Sequence, residues 1–173
     1  MKKIILLVLC LNILFSMNLI SNDFKSKIDI SEVYEACGGE NISPSLKWSD
    51  FPSNTKSFAI VMFDPDAPTP HGWYHWIVIN IPKNINQFPK NAGNKNSRFF
   101  YIGKELRNDY GEYGYGGPCP PYGKAHKYII TVYALSVKKL YISSSKPFKV
   151  VKIIKKYAID STSIYGYYKR GWK

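Results

Sequence analysis

The stretch KSFAIVMFDPDAPTPHGWYHWIVINIP, Lys56–Pro82, decides the fold. Its first part, Lys56–Asp64, is apolar and β-branched, the composition of a buried strand. Its last part, Trp73–Pro82, predicts a second strand on the same grounds. The connection packs Asp64, Asp66, Pro65, Pro68, Pro70 and His71 into a few residues before His75. Residues that precede proline are biased away from the helical region, so this connection is stiff. If the two strands pair as neighbours, Asp64, Asp66 and His75 come together at one end of a sheet. A stiff loop that holds carboxylates beside an imidazole suits a preformed pocket better than a solvated turn.

His71 and His75 are four residues apart, the spacing of a metal pair on a helix. Pro70 and Gly72 oppose a helix, and four residues of strand cover about 13 Å. Two ligands of one zinc ion lie within about 4 Å of each other, given bonds of about 2 Å. The pair is therefore read as non-metal. Strand alternation places His75 on a face with Trp73, Ile77 and Ile79, with Trp76 and Val78 opposite.

A second cluster is YGYGGPCPPYGKAHKY, Tyr113–Tyr128. Gly116 and Gly117 permit close backbone approach and positive φ. Pro118, Pro120 and Pro121 stiffen the turn. His126 and Tyr128 open a third long strand, Lys127–Ser136, and share one of its faces. An imidazole and a phenol beside the backbone N–H groups of a glycine-rich loop suit an oxyanion or a phosphate. Cys119 as a nucleophile would need a helix N-terminus or an imidazolium to lower its thiol pKa, and its flanking prolines exclude a helix start there.

The chain has 173 residues, with 24 Lys+Arg against 12 Asp+Glu, and 45% of its residues are hydrophobic. That supports one domain with a real core and favours anionic partners: phosphate groups, acidic lipid surfaces or nucleic acid. The start, MKKIILLVLCLNILFSMNLIS, has the basic end and apolar run of a secretory signal, placed here at residues 1–21. Ser16 and Ser21 are the weak cleavage candidates, and an uncleaved anchor stays open because the run approaches spanning length. The domain is expected over 22–173, exported to a periplasm or the outside. Cys37 and Cys119 remain after the leader; they form either one disulfide or two separate buried thiols.

Shorter strands are expected at Asp29–Ile30 and Leu46–Trp48, and Lys83–Lys124 is read as loop with short strand pieces. KPFKVVKIIKKYAI, Lys146–Ile159, spaces Phe148, Val151, Ile154 and Ala158 as a helix. Pro147 suits its first turn, and Ser145 is its expected cap. Its basic face offers peripheral contact with an acidic membrane, although a solvated face explains the same lysines.

CGGENISPSLKW (Cys37–Trp48), DPDAP (Asp64–Pro68), YHWIVINIP (Tyr74–Pro82), YGGPCPP (Tyr115–Pro121) and HKYIITVYAL (His126–Leu135) occur in that order. With them the chain resembles the phosphatidylethanolamine-binding protein family, in its bacterial and archaeal branch, often called Raf-kinase-inhibitor-like. The resemblance implies a mainly β fold: two antiparallel sheets, Greek-key-like connections and a C-terminal helix. It also implies one small pocket for phosphate, acetate or a phosphorylated headgroup, carried onto Asp64, Asp66, His75, Tyr115, Pro120, His126 and Tyr128. The cis-prolines of the family would fall in Asp64–Pro68. Lys127 stands where the family usually has arginine, and Ser45 replaces a proline. The aromatic tail Tyr165–Trp172 matches nothing in the animal members.

The expected function is binding without catalysis, with no cofactor and no metal. The ligand would be a small molecule bearing phosphate or carboxylate, a phospholipid headgroup among them, with His75 and His126 as hydrogen-bond donors. The alternative is a protein partner, a hydrolase inhibited through exposed proline-rich loops. An acid–base enzyme on the same groups lacks a recognisable electrophile site. Nucleic acid is disfavoured, because the aromatics sit at core spacings and a leader removes the chain from it. Kinase inhibition does not transfer to an exported chain.

Overall fold

In the computed structural model, which describes residues 16–172, the stretch Lys56–Pro82 forms a hairpin of long strands. In chain order the elements are β1 (Asn18–Ile20), β2 (Leu46–Ser49), β3 (Ser57–Asp64), β4 (Trp73–Pro82), β5 (Gln87–Phe88), β6 (Lys104–Glu105), β7 (His126–Leu135), α1 (Pro147–Tyr157) and β8 (Ala158–Tyr168). One sheet runs β1-β2-β5 and the other β6-β4-β3-β7-β8, with antiparallel pairing throughout. Strands β4 and β7 flank β3 instead of each other, so the chain crosses over between them.

The central strand is apolar at nearly every position because both its faces are covered. Phe58, Ile60 and Met62 join Leu19, Leu46 and Trp48 of the small sheet in the core between the sheets. Ala59 and Val61 point the other way, with Ile77 and Ile79, onto Val150, Val151 and Ile154 of α1.

Strand β4 carries two β-bulges. Met62 pairs with Trp76 and Phe63 with Tyr74, which leaves His75 as the extra residue. Phe58 pairs with Ile81 and Ile60 with Val78, and Asn80, inside that second irregularity, has φ +58°. The bulge at His75 overturns the face assigned by simple alternation. His75 leaves Ile77 and Ile79 to the helix side and turns to Tyr128, with ring centroids 5.2 Å apart. Re-aiming one side chain is what a bulge does to a strand.

Other local expectations change as well. Ile30–Glu32 is a 3₁₀ turn, not a strand, because the Asp29 carboxylate accepts the Ser31 N–H at 2.9 Å and caps it. Ser145 does not cap α1; Lys146 takes the cap position with no side-chain bond, and Pro147 supplies the first turn. The helix stops at Tyr157, and Ala158 already belongs to β8. That strand pairs along β7 from Leu135↔Ala158 to His126↔Tyr168 and takes in most of the aromatic tail. Every peptide bond among the described residues is trans. The Asp64–Pro68 loop is held instead by the Asp66 N–H donating to Asp64 at 2.8 Å, so a cis bond is not needed to form it.

Most of the leader lies outside the described residues. Its last part does not: β1 pairs with β2 through Asn18↔Ser49 and Ile20↔Lys47, and Met17 and Leu19 are buried. The folded domain thus begins before Asn22. No helix among the described residues is long and apolar enough to cross a membrane. Cys37 and Cys119 are joined in a disulfide, with Cα atoms 5.6 Å apart.

Candidate functional site

The ends of β3 and β4 and the start of β7 meet the loops Ala67–Thr69 and Cys119–Pro121 around a cavity of about 340 Å³. Small-molecule sites commonly occupy this size range, with apolar walls and few polar groups. Prolines and Ala67 form part of the wall. The chemistry comes from Asp64, Trp73, His75, Tyr110, His126 and Tyr128.

Asp64 is the fixed end of the site. Its Oδ1 accepts the Asp66 N–H, and its Oδ2 accepts from His126 Nδ1 at 2.8 Å. Both residues are almost fully buried. With Nδ1 given to Asp64, His126 keeps Nε2 for a ligand; it is a donor there when the ring is protonated.

His75 is also buried, and its Nδ1 lies 2.7 Å from the Gly116 carbonyl and 3.1 Å from that of Gly117. A carbonyl only accepts, so Nδ1 carries the proton. Burial lowers the ring's pKa to about 4, against the opposing pull of those carbonyls and of Asp64. At neutral pH His75 is therefore neutral, and its Nε2 is a lone-pair acceptor with no partner. The expected role of His75 as a donor is reversed by this tautomer. Tyr128 is held in its phenol form, first by burial and then by the Asp64 charge. Its hydroxyl and the Trp73 Nε1–H are likewise buried without partners.

The other residues expected here fall in different places. Pro120 lines the cavity. Asp66 lies outside it, and its carboxylate accepts the Lys127 N–H at 2.8 Å, tying the loop to β7. Tyr115 is also outside; its hydroxyl donates to the Glu32 carbonyl at 2.9 Å, and its ring meets Trp76. Tyr110 stands in the cavity instead. It lies edge-on to His75, stacks on Tyr34 at 4.2 Å, and donates to the Gly117 carbonyl at 3.0 Å. Trp73 was read only as a strand residue, although its place beside the acidic loop put it at the same sheet end.

The glycine-rich loop offers no free oxyanion hole at the expected atoms. The Gly116 N–H donates to the His75 carbonyl, and the Gly117 N–H donates to Asn41 Oδ1. Close approach is the reason for these glycines, not positive φ: a Cβ at Gly117 would overlap the Glu32 carbonyl. Cys119 is on the wall, but its sulfur is bound to Cys37, so no thiol is present there. His71 is exposed and stacks on Phe148 at 4.1 Å, away from His75.

Residues 20–169 match the family model described as phosphatidylethanolamine-binding protein. The chain belongs to the phosphatidylethanolamine-binding protein family. Among its relatives, the UPF0098 protein YbcL of Escherichia coli (strain K12) is 44% identical over 131 residues, 72% of each chain. The UPF0098 protein YbhB of the same organism is 41% identical over 128 residues, 72% of this chain and 81% of that one. The crystal structure of E. coli YbcL, titled a new member of the mammalian PEBP family, superimposes with a TM-score of 0.84 at 37% identity. That superposition covers 89% of this chain and 98% of the other. The homologue CT736 of Chlamydia trachomatis gives a TM-score of 0.73 at 27% identity, over 90% of this chain and 98% of its own.

Proposed function

We propose that this member of the family is an exported, non-enzymatic binding protein whose cavity takes a small molecule bearing phosphate or carboxylate. The observation that carries this reading is the set of orphaned polar atoms on one cavity: His75 Nε2, the Tyr128 hydroxyl and Trp73 Nε1. A buried polar atom without a partner costs about 1–3 kcal/mol, so such atoms are retained where something else satisfies them. The two N–H and O–H donors suit the oxygens of an anion. The lone pair on His75 suits an acid O–H, which a monoprotonated phosphate also provides. Export is supported by the basic-apolar leader and by the disulfide, a bond uncommon in reducing cytosol.

The test is an NMR titration of the His75 and His126 rings with inorganic phosphate and phosphoethanolamine. Saturable shifts at both rings are expected, with affinity reduced about tenfold in Tyr128→Phe and His126→Ala, each losing roughly one charge-assisted bond. Unchanged affinity in both variants would sink the reading. Turnover of phosphoesters above a His75→Ala control would replace it with an enzyme.

Inhibition of a hydrolase through the second proline-rich loop has less support. Pro118 and Pro120 are buried, and the Pro118 carbonyl accepts the Tyr34 N–H. The exposed proline-rich stretch is Pro65–His71, which is where a protein contact would be sought.

A further inference from the structure

Beside the cavity lies a surface that the binding reading does not use. Tyr122 follows the cavity prolines directly and is 75% exposed. Tyr165, Tyr167 and Trp172, from the end of β8 and the turn after it, are 55%, 38% and 38% exposed. These rings form one connected rim with cations. Arg170 lies over Tyr122 at 4.6 Å, Lys127 over Tyr165 at 4.3 Å, and Lys27 over Trp172 at 5.6 Å. Tyr165 and Tyr167 meet at 6.0 Å, Tyr167 pairs with Lys127 across the sheet, and residue 27 bridges to Tyr167. Lys127 sits between His126 and Tyr128, so the rim borders the cavity through β7 itself.

The charge here has one sign. Residues 121–128 and 165–172 contain no acid and supply Lys124, Lys127, Lys169 and Arg170. The acids near Lys27 are engaged elsewhere: Asp23 with Ser45 and Lys90, Asp29 with Ser31. Asp66 borders the rim, with its carboxylate on the Lys127 N–H. A second copy of the chain would bring like charges together. A single-stranded nucleic acid needs open ring faces for stacking, and here cations cover a face of Tyr122, Tyr165 and Trp172. Tyrosine and tryptophan mixed with lysine and arginine is the composition that settles at the headgroup level of a membrane.

We infer that this cationic aromatic rim docks the protein on the surface of an anionic phospholipid bilayer, with the cavity beside the contact. The surface is the edge of the large sheet, not the lysine face of α1. Docking goes beyond ligand binding in the cavity and stands without it.

The experiment is co-sedimentation of the full chain with vesicles of phosphatidylcholine alone and with about 30 mol% phosphatidylglycerol. The apolar N-terminal run can bind both kinds, so the readout is the excess on anionic vesicles. At about 0.1 M salt an excess of at least about tenfold is expected, disappearing by about 0.5 M as screening sets in. The triple variant Lys27→Gln/Lys127→Gln/Arg170→Gln should lose that excess by up to about a hundredfold. Tyr165→Ser/Trp172→Ser should lower it with the cations in place. Phosphoethanolamine titration and thermal melting of the same variants separate this result from the cavity reading and from misfolding. No anionic excess, an excess equal in the triple variant, or tighter binding to a single-stranded oligonucleotide than to the vesicles would overturn docking.

Discussion

Glu32 is fully buried, and neither of its carboxylate oxygens has a hydrogen-bond partner. Burial first, then the nearby Asp23 charge, raises its pKa from 4.5 to about 7. The folded state therefore holds a proton that the unfolded chain releases between those values. Stability from this group is fully present below pH 4.5 and is lost as pH rises to about 7, after which the loss is constant. The difference amounts to about 3 kcal/mol. Glu32→Gln should match the wild type near pH 4 and exceed it by about that amount at pH 8, measured from urea midpoints. An equal offset at both pH values would mean that the carboxyl is hydrated. Glu105, raised well above its usual range by burial and giving one oxygen to Trp76, acts in the same direction.

The residues of the cavity predict an opposite pairing of effects. Tyr128→Phe deletes a hydroxyl that has no partner in the free protein. It should raise stability by about 1 kcal/mol while weakening phosphate binding, since a deleted orphan removes only a desolvation cost. A tyrosine with a structural role would lose stability and keep affinity. His75 adds a pH dependence. With its pKa near 4, it remains an acceptor across neutral pH and selects the monoprotonated phosphate. Phosphoethanolamine affinity should thus fall by up to about tenfold per pH unit above the ester's second pKa of about 6. A flat profile from pH 5 to 8, measured by titration calorimetry, would place the ligand's proton elsewhere.

At the scale of the element, three long strands and the helix were legible because their signal is composition over many residues. The cavity was legible in part. Asp64, His75, Pro120, His126 and Tyr128 line it as the motifs implied. Tyr115 and Tyr110 were exchanged, because a glycine-rich loop has no period from which direction can be read. The bulge at His75 was hidden as well: one inserted residue leaves no mark on an alternating pattern, and it appears only in the pairing with β3. Strand β8 was missed for a related reason. Its Asp160, Ser161, Ser163 and Gly166 read as turn residues, but an edge strand with an exposed face tolerates them.

The disulfide belongs to this scale too, since it ties Ala36–Gly38 to the cavity wall across a separation of 82 residues. Opening a loop of that size in the unfolded chain is worth up to about 4 kcal/mol in the chain-entropy account. Cys37→Ala/Cys119→Ala should lower stability by up to that amount. It should also weaken phosphate binding, because Pro120 and Pro121 lose their tether beside the ligand. Retained affinity in a destabilised variant would show that the wall is held by the Tyr34–Pro118 backbone bond alone.

For the molecule as a whole, the boundary between leader and domain has a physical answer. Charge and hydropathy favour a leader through residue 21, but they cannot distinguish a leader's apolar run from the first strand when the two are continuous. The packing distinguishes them. Met17 and Leu19 are 4% and 5% exposed and lie in the core between the sheets. Cleavage after Ser21 would remove β1, uncover Leu46 and Trp48 beneath it, and leave one edge of β2 without its partner. Burying two such side chains contributes roughly 3–6 kcal/mol, part of which offsets the cost of ordering the segment. A chain beginning at Asn22 should therefore melt about 10 °C below one beginning at Ser16. Selection for a stable exported product then favours processing at or before Met17, with Ser16 the nearer of the two candidate positions. Intact-mass spectrometry of the exported protein reads the new N-terminus directly. A terminus at Asn22, together with an unchanged melting temperature, would show that β1 contributes nothing to the folded state.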